Sequence, residues 1–201
     1  MRIFIAGEGS NELGGWAKAP SDRVPPFEPG VLTTLVDRVA GTPANVVGCA
    51  QWKNLTKFRA GERGKPAGKG DIRSLRAAQL QAKEAGANIL VALRDTDGHA
   101  DREAALIAAA ATPPTALRTV VGTPHLKLEA WILACAGTRR AEEMGSQGLT
   151  NALTSLGIPQ KGTAAMVDVV ENCDLTTIPP CATRLHRFLD DLRAALTGPT
   201  P

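Results

Sequence analysis

The chain has 201 residues, 43% of them hydrophobic, which is enough to bury one sizeable core or two tightly joined ones. No apolar run approaches the roughly 20 residues that a membrane helix needs, and Met1 leads straight into a short apolar strand without a signal-peptide cleavage pattern, so a cytoplasmic protein with no membrane partner is expected. The formal net charge is only +3, the four cysteines form no C-x-x-C pair, the three histidines add no zinc spacing, and tyrosine is absent, which excludes a zinc module and a tyrosine nucleophile.

In chain order, residues 2–6 are a short β-rich run stopped by glycines, and residues 29–40 have the helical spacing Val31, Leu32, Leu35, Val36, Val39. Between them, residues 16–30 carry several prolines and read as an irregular loop. Residues 45–50 (NVVGCA) read as a second strand. A Gly/Lys/Arg-rich loop then leads to Asp71, a good N-cap for a helix ending at Gly86, with Leu75, Ala78, Ala82 and Ala85 on its apolar stripe and Arg73, Arg76 and Lys83 on another. Residues 87–93 (ANILVAL) are almost wholly apolar, as suits a central parallel strand covered on both faces. The sequence RDTDGHAD follows, then an alanine-rich helix over residues 101–111 and a fourth strand near 117–121.

This alternation predicts an α/β fold: a parallel sheet of about four strands with right-handed crossovers and flanking helices. Segments near 125–136, 147–156, 162–172 and 181–196 have helical spacing, separated by Gly137, Gly157 to Pro159 and Ile178 to Pro180. The expected organisation is therefore an α/β core over residues 1–124 and a helical C-terminal extension over 125–201, packed on it. The cysteines are expected to be buried, reduced thiols.

Charge is uneven. From Lys53 to Lys83 there are nine basic residues against Glu62 and Asp71, a local +7, which leaves −4 for the rest of the chain. Such a block points either to a nucleic-acid partner, DNA or RNA, contacted through phosphates by Lys65, Lys69, Arg73 and Arg76, or to an ordinary solvated surface. Only seven residues are Phe or Trp, which argues against base stacking as the means of contact. The loop also lacks the G-x-x-x-x-G-K-[ST] order of a nucleotide-binding P-loop, because Gly70 and Asp71 follow Lys69.

Ligands of open α/β sheets bind beyond the carboxyl ends of the strands. Two acidic clusters are expected there: Glu8, with Glu12 nearby, in GEGSNELG after the first strand, and Asp95 with Asp97 in ALRDTDGH after the third. In an extended segment, residues two apart project to the same side roughly 6.5 Å from each other, so both aspartates are expected to face one ion or two adjacent ones. At an effective dielectric near 20 two such charges repel by about 2–3 kcal/mol, which calls for a cation or solvent. Hard oxygen donors favour Mg²⁺ or Mn²⁺ over zinc. Alternatively, an aspartate at a strand end merely caps the next helix.

The pairing of a glutamate after the first strand with a D-x-D after the third resembles the Toprim fold, with Glu8, Asp95 and Asp97 at the matching positions. A narrower resemblance begins at Gly122: GTPHLKLEAWILAC is similar to the E-x-W-L-L-A-D motif of the DUF4276 family, Toprim-like bacterial proteins often found beside ATPases in presumed phage-defence islands. Glu129, Trp131, Leu133 and Ala134 match, Ile132 is conservative, and Cys135 replaces the final acidic residue.

The resemblance implies a Mg²⁺-dependent nuclease, hydrolysing phosphodiester bonds of DNA or RNA, with an AAA-type ATPase as a partner. Asp95 and Asp97 would hold the ion, and Glu8 would act as ligand or as general acid or base. Glu129 is either a further metal ligand or a carboxylate interacting with a helix dipole. His99 and His125 adjoin the acidic motifs as phosphate contacts or surface residues, and Trp131 is expected in the core. Two other classes compete: a non-catalytic module of the same fold that binds nucleic acid or an ATPase, and a phosphotransfer receiver. The receiver places its acidic pair after the first strand, whereas here the pair follows the third.

Overall fold

The computed structural model describes residues 1–18, 27–55, 69–113, 116–159 and 162–198. Four strands, β1 (Ile3–Gly7), β2 (Val46–Gln51), β3 (Ile89–Leu93) and β4 (Arg118–Gly122), form one parallel sheet in the order β2-β1-β3-β4. The central pair is in register from Ile3 opposite Ile89 to Ala6 opposite Ala92, and Leu93 lies opposite Gly122 of β4. The parallel α/β fold expected from the sequence is therefore present, with strand boundaries moved by one or two residues.

β3 is buried along its whole length because its alternating side chains feed two separate cores. Ile89, Val91 and Leu93 join Ile3, Ile5 and Val120 on one face, against helices α2 (Val31–Ala40), α6 (Glu129–Cys135), α7 (Ser146–Ser155), α8 (Thr163–Asn172) and α9 (Thr183–Thr197). Leu90 and Ala92 join Phe4, Ala6 and Val121 on the other, against α3 (Trp52–Leu55), α4 (Lys69–Glu84) and α5 (Ala100–Ala111). On α4 the stripe Leu75, Ala78 and Ala82 is buried as expected, and Ala85 packs at its edge. Asp71 is not the N-cap of α4: the helix begins two residues earlier, and its carboxylate serves two arginines instead.

A four-residue α1 (Ser10–Leu13) precedes the loop expected over residues 16–30, a 3₁₀ turn over Gly14–Lys18 runs into its start, and its residues 19–26 lie outside the described ones. Among the described residues no helix is long and apolar enough to cross a membrane. All four cysteines are free thiols, but only Cys173 is buried as expected; Cys49, Cys135 and Cys181 are half-buried, the first two at the edges of the core.

The C-terminal helices share the sheet's core. Trp131, 1% exposed, packs on Phe188 with ring centroids 5.1 Å apart, and both press on Gly122 at the end of β4. The Trp131 Nε1–H donates to Glu142 Oε1 at 2.9 Å. That buried carboxylate also accepts the first-turn amides of α9, Arg184 N at 3.1 Å and Leu185 N at 3.0 Å, so it satisfies helix donors that would otherwise lack partners. Across the same end of the sheet, Glu103 of α5 receives Arg184 Nε and Arg187 Nη2, each at 2.9 Å.

A Cβ at Gly122 would lie 2.8 Å from Trp131 Cη2 and 3.1 Å from Phe188 Cδ2. Gly122→Ala should therefore destabilise the chain by about 1–3 kcal/mol in urea unfolding, the usual cost of overpacking. An unchanged midpoint would show that the extension yields freely at this contact.

Candidate functional site

β1 and β3 are adjacent and parallel, so their carboxyl ends open side by side. Glu8 leaves β1 inside G-E-G, where a Cβ on Gly7 would sit 2.8 Å from the Glu12 Cβ; glycine lets α1 fold back against the strand end. There the Glu12 carboxylate accepts the Gly9 N–H at 2.8 Å and is itself buried. Beyond β3, Arg94 N bonds to Gly122 O, Thr96 N and Oγ1 bond to Pro124 O, Thr96 Oγ1 also reaches His125 O, and Gly98 N bonds to His125 O. These contacts fix the R-D-T-D-G turn against the segment that precedes α6.

The turn separates the two aspartates. Asp97 and Gly98 take positive φ values of 50° and 78°, so the extended geometry expected to aim Asp95 and Asp97 to one side ends before Asp97 is reached. Asp97 is exposed, and its Oδ2 is 2.5 Å from Arg102 Nη1. Asp95 is half-buried, and its Oδ1 is buried with no hydrogen-bond partner. The D-x-D therefore supplies one orphaned carboxylate and one that is already paired.

Glu8 adjoins Asp95: its Oε1 accepts the Asp95 N–H at 3.2 Å and Arg94 Nη1 at 2.6 Å. Burial, followed by the negative charges of Glu8, Glu12, Glu129 and Asp97, pushes the Asp95 carboxyl up to about 9. Glu12 is also raised, chiefly by burial, with Glu8 and Glu129 adding to the effect against the Gly9 N–H. Glu129, the first residue of the short α6, thus belongs electrostatically to this corner. A depression of about 350 Å³ lined by Glu8, Gly9, Ser10, Asn11 and Glu12 adjoins it. The larger apolar groove, about 690 Å³, lies away from the carboxylates between α5, β4 and α9.

The donor set is all carboxylate oxygen, and a buried oxygen lacking any donor amid like charges is what a hard divalent cation would relieve. In chemistry and charge the residues fit such an ion. Among the described residues no three His, Cys, Asp or Glu side chains converge closely enough to hold one as they stand.

Three partners of this corner escaped sequence reasoning. Asp71, in the first turn of α4, receives Arg94 Nε at 3.3 Å on Oδ1 and Arg102 Nε at 3.0 Å on Oδ2. The signal for Arg94 was its place beside Asp95; Asp71 and Arg102 carried none, since their meeting depends on how α4 and α5 pack. Of the residues expected to contact nucleic acid, Lys65 lies outside the described residues, Lys69 opens α4, and Arg73 is exposed. Arg76 directs its guanidinium at Gln79 Oε1 and at the carbonyl and hydroxyl of Thr112.

No family model, curated protein or solved structure matches the chain.

Because the Asp95 carboxyl is raised from 3.8 to about 9, the folded state keeps a proton that the unfolded chain releases over that interval. This contribution to stability is complete below the unfolded value and is lost as pH rises toward the folded one. Asp95→Asn should therefore raise the melting temperature of the metal-free protein by an increment that grows from pH 4 to pH 9. A difference independent of pH would show that Asp95 ionises freely in the fold.

Proposed function

We propose that the chain is a Mg²⁺- or Mn²⁺-dependent phosphodiester hydrolase acting on DNA or RNA, with its reaction centre at the carboxylate corner. The observation that carries this reading is the buried, unpartnered Asp95 Oδ1 beside Glu8, Glu12 and Asp97 beyond the ends of β1 and β3, with the charge of Glu129 at the start of α6 also acting on it. The resemblance to Toprim proteins, and to the DUF4276 family with its phage-defence setting and neighbouring ATPases, supports it through Glu8, Asp95, Asp97, Glu129 and Trp131. Asp95 would hold the ion, with Glu8, Glu12 and Glu129 completing the negative field around it. When bound, the ion supplies charge neutralisation at the scissile phosphate and its leaving oxygen. Glu8, one-third exposed and hydrogen-bonded to the Asp95 amide, would accept a proton from water.

A second reading, a non-catalytic module that binds nucleic acid or an ATPase, is favoured by one observation: Glu8 and Asp97 already hold internal cations, Arg94 and Arg102. In that reading the corner is a closed ion-pair network, and the basic α4 face is the working surface.

Two measurements separate them. Mn²⁺ should raise the melting temperature of the wild type by ligand linkage and leave Asp95→Asn unmoved; an equal response in both would remove Asp95 as a ligand. Cleavage of DNA and RNA with Mn²⁺, tested with and without an ATPase encoded beside this chain, should fall at least about a hundredfold in Glu8→Gln while binding persists. Binding without cleavage in the wild type under all these conditions favours the second reading.

The nucleic-acid partner is tested on its own. If Lys65, Lys69, Arg73 and Arg76 meet phosphates, their joint replacement by alanine should flatten the slope of log K against log salt by about two to four units, equally for unrelated sequences. An unchanged slope would leave the basic block a solvated surface.

A further inference from the structure

Arg94 and Arg102 meet on one buried carboxylate. Each guanidinium gives its Nε–H to a different oxygen of Asp71, whose side chain is only 11% exposed. Their outer ends diverge. Arg94 Nη1 reaches Glu8 Oε1 at 2.6 Å, while Arg102 Nη1 reaches Asp97 Oδ2 at 2.5 Å and the Asp95 carbonyl at 3.2 Å. The inner partner is thus buried and shared, whereas the outer partners, Glu8 and Asp97, are 33% and 59% exposed. Arg94 is steadied further by the Trp52 ring, 5.7 Å from its guanidinium carbon, and the Trp52 indole N–H is itself fixed on Leu93 O.

An ion pair with an exposed carboxylate is weak and easily exchanged, while one with a buried, doubly bonded carboxylate is not. The two guanidinium groups are therefore fixed at their Nε ends and replaceable at their Nη ends. Planar N–H forks arranged in this way match the oxygens of a phosphate group, and two of them flank the same strand ends.

We propose that Arg94 and Arg102 form a phosphate clamp that, in the ligand-free chain, is closed on the protein's own carboxylates: a substrate phosphate displaces Glu8 and Asp97 from the Nη groups while Asp71 keeps both guanidinium groups in place. The clamp rests on the reading of this corner as a phosphodiester site, and it deepens that reading by assigning the substrate's phosphate to these two residues. It also gives Glu8 and Asp97 a second task, because the acids that hold the clamp shut are released when phosphate arrives.

The test is binding of inorganic pyrophosphate in metal-free buffer by titration calorimetry, with circular dichroism to confirm folding. Arg94→Gln and Arg102→Gln should each weaken binding about tenfold, and Arg102→Lys, which keeps the charge but loses the fork, by about threefold. Asp97→Asn should tighten it, because Arg102 Nη1 loses its competitor. Asp71→Asn is the decisive variant. Removing a negative charge near an anion site strengthens binding by electrostatics alone, whereas losing the anchor of both arginines weakens it by about fivefold or more.

Absent wild-type binding, unchanged affinity in the arginine variants, or tighter binding in Asp71→Asn would each overturn the clamp. Should Asp71→Asn fail to fold, Arg102→Lys and Asp97→Asn decide by their opposite signs. The Mn²⁺ melting shift is read separately. A chain that binds pyrophosphate as stated but shows no Mn²⁺ response keeps the clamp and loses the metal-dependent reading, and the reverse result keeps the metal and loses the clamp.

Discussion

Two parallel strands lying side by side at the centre of the sheet set the terms for the rest of the molecule. β1 and β3 pair in register, and β3 is apolar on both faces, so it must be covered by helices above and below. Parallel pairing brings their carboxyl ends to one rim, and each chain leaves that rim through a glycine-containing acidic turn. Glu8 and Asp95 are consequently neighbours although 87 residues separate them in sequence, close enough for the Glu8 carboxylate to accept the Asp95 amide. The carboxylates are crowded by topology rather than by local sequence.

Crowding of that kind has a cost, which the structure meets unevenly. Asp71, Asp97 and Glu8 are offset by Arg94 and Arg102, and Glu12 takes a backbone amide. Asp95 gets none of this on Oδ1, and burial together with its acidic neighbours favours its neutral form. Buried polar groups are normally hydrogen-bonded, so an orphaned buried oxygen stands out in such a network. Here one buried oxygen, Asp95 Oδ1, is left over, while the more deeply buried Glu12 and Asp71 are partnered.

The C-terminal helices are part of the same construction. They supply most of the apolar cover for one face of the sheet, and the junction is made by few residues: Trp131 and Phe188 against Gly122, Glu142 on the first turn of α9, and Glu103 between Arg184 and Arg187. The link to the acidic corner is direct, because α6, which buries Trp131, begins with Glu129. The packing that closes the core on this face thus also sets the position of a charge felt by Asp95 and Glu12.

Much of this was legible in the residues themselves. The apolar run of β3, the 3.6-residue spacing of the helices and the glycines between them specify a parallel α/β sheet, since periodicity and turn chemistry are local properties. Glu8 and Asp95 were legible because strand ends are local too. Period-two alternation beyond β3 was misleading: Asp97 takes a left-handed φ, and side-chain direction follows backbone dihedrals rather than spacing. Asp71 read as a helix cap because a cap is what its neighbours in sequence allow. Only the packing of α4 against the end of β3 and against α5 gave it Arg94 and Arg102, from 23 and 31 residues away. The sequence alone determined the elements and the rim where they end. The partners of each charge at that rim were decided by tertiary structure, because electrostatic pairing depends on distance through space, and distance is fixed only once the helices are packed.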